Sequence, residues 1–252
     1  MTSLKDTFLA EIQSTKIFAF ARIHTANNNL HKAEILFFPH QIPSEKIGHL
    51  FNETIEDQSL FPLFADFIER QIQAALSFSK QTNCPKVNIN IPLAVFESEY
   101  KDDILSILRS VPNAEKLCLE ITENSKAQNL QKLKPIFNEL KDLGYQFVID
   151  DLGSGYHDLT QADNLAYMTE LLSVCPLHDI KIDFELAKDF EENLDHISKN
   201  IAHFEALYLE YGHNINDLKL TFEFPLTSEQ QLKAKKITKA PHHFFQTLAC
   251  KA

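Results

Sequence analysis

Ile149-Asp150-Asp151-Leu152-Gly153-Ser154-Gly155-Tyr156 is the stretch on which the reading of this chain turns. It closes an apolar run, Tyr145-Gln146-Phe147-Val148-Ile149, that reads as a strand. Two adjacent carboxylates at a strand end repel each other. Divalent cations relieve that repulsion, because carboxylate oxygen is the ligand hard cations prefer. Two of the chain's five glycines follow, one residue apart, and let the backbone turn sharply around such a site. Taken alone, the same residues also make an ordinary acidic turn, since Asp and Gly are common turn residues.

Outward from that strand, apolar strands and amphipathic helices alternate along most of the 252 residues. Toward the N-terminus, strands at 16–25 and 32–38 flank Asn27-Asn28-Asn29 and read as an antiparallel hairpin. Residues 41–57 are polar, with room for a short helix. Ser59 is placed to cap a helix reaching about residue 80, with Pro62 in its first turn and Phe64, Ile68, Ile72 and Ala75 on its buried face. A strand at 86–91, a helix marked by Ile104, Leu108 and Val111, and a strand at 116–121 follow. A helical region then ends at Leu143, before Gly144, with Pro135 kinking it or starting its last segment.

Toward the C-terminus come a helix at 158–174 and a strand at 179–183. Ile197, Ile201, Phe204, Tyr208 and Tyr211 mark one face of a long helix closed by Gly212. A strand at 217–224, a helix capped by Ser228 and a short strand at His243-Phe244-Phe245 complete the pattern. Alternation of this kind requires parallel strands joined by crossover helices. The length favours a closed barrel over an open sheet. The expected fold is therefore α/β, a TIM-like (β/α) barrel with an antiparallel N-terminal strand, in which residues 1–252 form a single domain.

Composition narrows the function. Apolar residues make up 44% of the chain, and 20 Phe with no Trp imply a core filled by phenyl rings. A net charge of -11 argues against a broad surface for nucleic-acid polymers, which need clustered Lys and Arg. It leaves room for a small phosphate-bearing ligand held through metals. Cys84, Cys118, Cys175 and Cys250 lie far apart, which argues against a zinc site or disulfide framework and for a reducing cytoplasm. No apolar run approaches the ~18 residues of a membrane span, so no membrane partner is expected. Met1–Asp6 carries no signal-peptide core.

The chemistry collects at strand ends, where barrel active sites form. Reading each end gives Glu34, Asn88, Glu120, Glu123, Asp150, Asp151, Lys181, Asp183 and Glu223. Each alone has a plain structural reading. Asn88 suits a bridging hydrogen bonder, Lys181 an exposed strand position, and Glu223 the solvent face of an alternating strand. Together they converge on one barrel mouth. Such an excess of carboxylates repels itself without metal, whereas two divalent ions make it a site for in-line displacement at phosphorus. Lys181 would then polarise or hold the attacking water, and Glu223 is the candidate base.

In order, Glu34-Ile35-Leu36, Val87-Asn88-Ile89-Asn90, Leu119-Glu120-Ile121-Thr122-Glu123, Asp150-Asp151-Leu152-Gly153-Ser154-Gly155-Tyr156, Lys181-Ile182-Asp183 and Phe222-Glu223 resemble the EAL-domain family across roughly residues 16–246. Its members are bacterial phosphodiesterases that linearise cyclic di-GMP, built on a TIM-like barrel with an antiparallel first strand. The resemblance implies that Glu34, Asn88, Glu120 and Asp150 ligate metal, and that Asp151 serves a second metal. It implies Lys181 at the water, Glu223 as general base or ligand, and Glu123 steadying the loop after Asp151. Mg²⁺ or Mn²⁺ is the implied cofactor, cyclic di-GMP the implied ligand, and a homodimer or protein partner the implied assembly.

The chain also departs from the family pattern. Phe38 stands where an Arg is expected, Ala21 where a Gln is expected, and Leu226 where a second Glu is expected. Ala240-Pro241-His242 replaces an Ala-Gln-Gly segment. The stretch between Asp150 and Lys181 is longer than the family's by roughly ten residues, about 15 Å if helical. Its segment 157–169 reads as an exposed polar surface for a partner. Three readings follow: a divergent active phosphodiesterase, a silent barrel that senses cyclic di-GMP, and a silent barrel that works through a protein partner. Retention of Asp150, Asp151, Lys181 and Glu223 favours the enzyme.

Overall fold

The computed structural model describes residues 3–15, 18–24, 30–37, 39, 41–42, 46–47, 50, 53, 57–123, 126–224, 226–240 and 246–250. The chain enters through a helix absent from the sequence reading, α1 (Leu4–Ser14). Ser3 and Asp6 exchange side-chain hydrogen bonds with each other's backbone N–H and satisfy two donors at its open end. Phe8 and Ile12, one turn apart, are fully buried. The expected hairpin follows: β1 (Ala19–His24) runs antiparallel to β2 (Leu30–Leu36), with Ala21 opposite Glu34.

From β2 onward the strands run parallel. They are β3 (Val87–Ile91), β4 (Leu117–Ile121), β5 (Gln146–Leu152), β6 (Leu177–Ile182) and β7 (Lys219–Phe222). A last strand, β8 (Gln246–Cys250), pairs antiparallel with β1. Pairing follows the order β7-β6-β5-β4-β3-β2-β1-β8, the curled sheet of a TIM-like barrel whose first strand is reversed. The His243–Phe245 strand expected from sequence lies outside the described residues, just before β8.

The crossovers are α2 (Phe61–Thr82), α3 (Lys101–Ser110), α4 (Leu130–Asp142), α5 (Ala162–Val174), the short α6 (Phe184–Lys188) running into α7 (Phe190–Glu210), and α8 (Ser228–Ile237). Their apolar stripes seal the outside of the sheet with phenyl rings, as the composition implies. Phe137 of α4 meets Phe147 of β5 edge-on at 5.2 Å, and Phe190 of α7 meets Phe222 of β7 at 5.9 Å.

Several boundaries move. A 3-10 turn, Gln58–Leu60, precedes α2, and Ser59 bonds back to Asp57 instead of capping the helix. α4 begins only at Leu130, behind an Asn129 cap, and runs through Pro135 to Asp142, with Gly144, at φ +105, just beyond its Leu143 cap. Residues 158–161 stay non-helical, because Asp158 holds the amide of Thr160 at 3.1 Å. Thr227, one residue before Ser228, caps α8. The segment 157–169, expected as an exposed surface, is mixed: His157, Leu159, Asn164, Tyr167 and Met168 are buried, while Thr160 to Asp163 and Ala166 are exposed. Among the described residues, no helix is long and apolar enough to cross a membrane.

Strand alternation stacks inward-facing side chains in layers. Lys32 lies two residues before Glu34, and Asp179 two before Lys181, so both occupy the layer beneath the strand ends. There Lys32 Nζ meets Asp179 Oδ2 at 2.5 Å, both almost fully buried. Burial alone would lower the Lys32 pKa, but Asp179 outweighs it and holds the ammonium above its usual range. The barrel floor is thus a compensated ion pair, and the layer above it carries the unbalanced charge.

Candidate active site

Strand geometry gathers the sequence-selected residues at one mouth. Glu34 sits in β2, Asn88 in β3, Glu120 in β4, Asp150 and Asp151 in β5, and Lys181 in β6. Glu223 follows β7 directly, and Glu123 lies in the loop after β4. Lys181 is the hub, at only 1% exposure. Its Nζ lies 2.6 Å from Asp150, 2.6 Å from Glu223, 2.9 Å from Glu34 and 3.2 Å from Glu120. The readings of Lys181 as an exposed strand residue and of Glu223 as a solvated one are therefore set aside.

One ammonium among four carboxyl groups leaves acidic groups in excess at the mouth. The ionisation of the site reflects that imbalance. Burial, then Glu34, push Glu120 well above the usual carboxylate range. Burial, then Asp150 and Glu223, do the same to Asp151. Burial raises Glu223 to about 7, with Glu34 and Asp150 adding to it and Lys181 opposing. Lys181 loses stability as a cation through burial, yet Asp150 and Glu120 more than restore it and raise its pKa.

The residues fit a divalent cation. Oxygens of Glu34, Glu120 and Asp150 lie within 4.8 Å of one another, and so do oxygens of Glu123, Asp150 and Asp151. Asn88 Nδ2 donates to Glu120 Oε1 at 2.5 Å. That leaves Asn88 Oδ1, Asn90 Oδ1, Glu120 Oε2 and Asp151 Oδ1 buried with no donor among the described residues. Buried acceptors ordinarily find a partner. An all-oxygen set with unspent lone pairs is donor chemistry that suits hard divalent cations.

The loop after β5 is built for this position. Asp151 has φ +47, a left-handed backbone that is uncommon outside glycine and a sign of local strain. Gly155, at φ +48, lies so close to the β4 loop that an added Cβ would sit 2.7 Å from the Glu123 carbonyl oxygen. The same carbonyl accepts the Tyr156 N–H at 3.0 Å. Lys126 lies over the Tyr156 ring at 4.6 Å. The loops carrying Glu123 and Asp151 are thus laced together.

Some site features were not singled out in the sequence. Asn90 shares the inward face with Asn88, and its amide reaches Glu34 Oε1 at 3.4 Å. The mouth opens into a cavity of about 410 Å³ with one acidic pole and one apolar wall of Phe37, Phe64, Phe67 and Ile68. Gln71 lines that wall at 4% exposure. A period-two reading of β3 would have found Asn90. A lone Gln on an apolar helix face gave no comparable signal.

The departures divide in two. Ala21 is buried beside Glu34, and Leu226 is buried at 4%, so neither offers a polar group to the mouth. Phe38 and Pro241 lie outside the described residues.

The comparisons with known proteins agree with this geometry. The family model described as EAL domain matches residues 12–204. Cyclic di-GMP phosphodiesterase PdeA of Borreliella burgdorferi is 26% identical over 223 residues, covering 82% of this chain. The chain spans only 31% of the length of that relative. Among solved structures, an EAL domain protein from Listeria monocytogenes superposes with a TM-score of 0.64 at 18% identity, over 97% of this chain and 92% of that one. A standalone EAL protein from Vibrio cholerae, in its c-di-GMP bound form, gives 0.61 at 19% identity, over 91% and 88%. At these identities the two structures establish the shared fold.

Proposed function

We propose that this chain, which belongs to the EAL-domain family, is a metal-dependent phosphodiesterase that hydrolyses cyclic di-GMP to the linear dinucleotide. The observation that carries the reading is the ring of Glu34, Glu120, Asp150 and Glu223 closed on Lys181 within 3.2 Å, with oxygens of Asn88, Glu120 and Asp151 left unpartnered beside it. The name of the Borreliella relative supports the choice of substrate.

In this reading Glu34, Asn88, Glu120 and Asp150 hold one Mg²⁺ or Mn²⁺, and Asp151 serves a second. Bound divalent cations neutralise phosphoryl oxygens and lower the pKa of water. Lys181, rigid among its carboxylates, orients the attacking water through its Nζ. Glu223, raised to about 7, takes the proton from that water, and a base with a pKa near the working pH is the effective kind. Glu123 keeps the Asp151 loop in place. The water oxygen bonds to phosphorus, one P–O ester bond breaks, and the departing sugar oxygen ends protonated.

A second reading, a silent barrel that binds cyclic di-GMP or a protein partner, is favoured by one feature: Leu226 is buried where the family pattern calls for a further glutamate. Chromatography of cyclic di-GMP incubated with the protein and Mn²⁺ separates the two. The enzyme yields linear dinucleotide, and Glu34→Ala yields none. Calorimetric binding of the nucleotide without turnover would establish the silent reading instead.

A further inference from the structure

The loop that follows Asp150 and Asp151 has a second support besides Glu123. Three side chains of α7, spaced one turn apart along one face, take hold of its backbone. His196 Nε2 donates to the Gly153 carbonyl at 2.9 Å. Asn200, fully buried, accepts the Leu159 N–H on Oδ1 at 2.6 Å and donates from Nδ2 to the His196 carbonyl at 3.0 Å. His203 Nδ1 donates to the Leu159 carbonyl at 2.9 Å. Both ends of segment 153–159 are therefore fastened to one helix.

The fastening reaches the acidic ring through two further bonds. The Gly153 N–H donates to the His157 carbonyl at 3.0 Å. The His157 ring, fully buried, donates from Nδ1 to the Asp150 carbonyl at 2.5 Å. A line of hydrogen bonds thus runs from His196 through Gly153 and His157 to the backbone of Asp150. Between these anchors Asp151 sits in its left-handed conformation, which persists only where its surroundings hold it. Helix packing alone does not call for these contacts, because apolar residues at the same positions would fill the space without gripping the loop.

We propose that His196, Asn200 and His203 are positioning residues for the divalent-cation centre: they set the loop 153–159 and, through it, the carboxylates of Asp150 and Asp151. The proposal rests on the metal-centre part of the reading above. Coupling of this kind is reciprocal, so metal bound at the mouth tightens the grip of α7 on the loop.

Two measurements on the intact chain test it. Amide hydrogen exchange with and without Mn²⁺ should show Gly153, His157 and Leu159 slowed by the metal. Calorimetric titration with Mn²⁺ should show the double variant His196→Leu/His203→Leu weakened by about 10–100-fold, the range for residues that orient metal ligands. His196→Gln/His203→Gln, which keeps N–H donors, should recover most of that loss. Unchanged exchange at the three amides, or equal Mn²⁺ affinity in the leucine variant and the natural chain, overturns the proposal, as does a natural chain that binds no Mn²⁺. If the leucine variant fails to fold, the exchange result on the natural chain decides. Mn²⁺ binding without turnover would remove the phosphodiesterase reading and leave this inference standing. Turnover with an indifferent leucine variant would do the reverse.

Discussion

Lys181→Met is the most informative single substitution. Methionine keeps much of the side-chain length and removes the charge, so Glu34, Glu120, Asp150 and Glu223 would face one another with no cation between them. Removing one partner of a buried ion pair typically costs about 3–5 kcal/mol, because the other charge stays behind unpaired. At about 2–4 °C per kcal/mol for a chain of this size, the metal-free variant should melt about 6–20 °C below the natural protein. The deficit should shrink as pH falls, since protons then neutralise the carboxylates that Lys181 no longer balances. It should also shrink on adding Mn²⁺, which replaces the lost positive charge, so the metal-induced rise in Tm should be larger in the variant. Differential scanning calorimetry in chelator, then with Mn²⁺, reads all of these. A variant that melts with the natural protein in chelator, or gains no more from Mn²⁺ than it does, would refute the role given to the ammonium.

Other outcomes follow from the same geometry. Burial holds Glu120 and Asp151 above the usual carboxylate range and Glu223 at about 7, so the metal-free site carries protons that a metal must displace. Mn²⁺ affinity should accordingly climb between about pH 6 and 8, with proton release visible as buffer-dependent heat; a pH-independent affinity would contradict this. Gly155→Ala places a methyl 2.7 Å from the Glu123 carbonyl in a left-handed backbone. It should lower stability by at least about 1–2 kcal/mol, and an unchanged Tm would show that the two loops are not tightly packed. Gln71→Leu replaces a nearly buried amide on the cavity's apolar wall with an apolar side chain and should raise stability by about 1 kcal/mol, measured by urea denaturation. A loss of stability would mean the amide is already satisfied.

Most of the barrel was legible because its strands are short, mainly apolar runs with polar residues in or just beyond their C-terminal halves. Asn88, Glu120, Asp150 and Lys181 fall in period with their neighbours, and the parallel pairing of β3 to β6 then brings them together. α1 escaped because only Phe8 and Ile12 anchor it, although Ser3 and Asp6 already spell its capping box. The helix expected from 158 begins at 162 because Asp158 captures the next turn's amide, a local competition that apolar periodicity does not register. Lys32 could be placed on the same inward face as Glu34 by alternation. Its buried partner Asp179 lies 147 residues away, and nothing local announces the pair. The grip of α7 on the loop was hidden for the same reason: His196, Asn200 and His203 read as the polar side of an amphipathic helix.

In the proposed function the carboxylate ring is a metal-dependent phosphodiesterase centre. ³¹P NMR of cyclic di-GMP with the stoichiometrically chelated protein, followed by Mn²⁺ in excess of the chelator in the same tube, tests it most directly. The expected record is a single unchanged phosphodiester signal until Mn²⁺ arrives, then conversion to the diester and terminal monoester signals of the linear dinucleotide. Conversion that proceeds equally under chelation, or none after Mn²⁺ has bound, would contradict it.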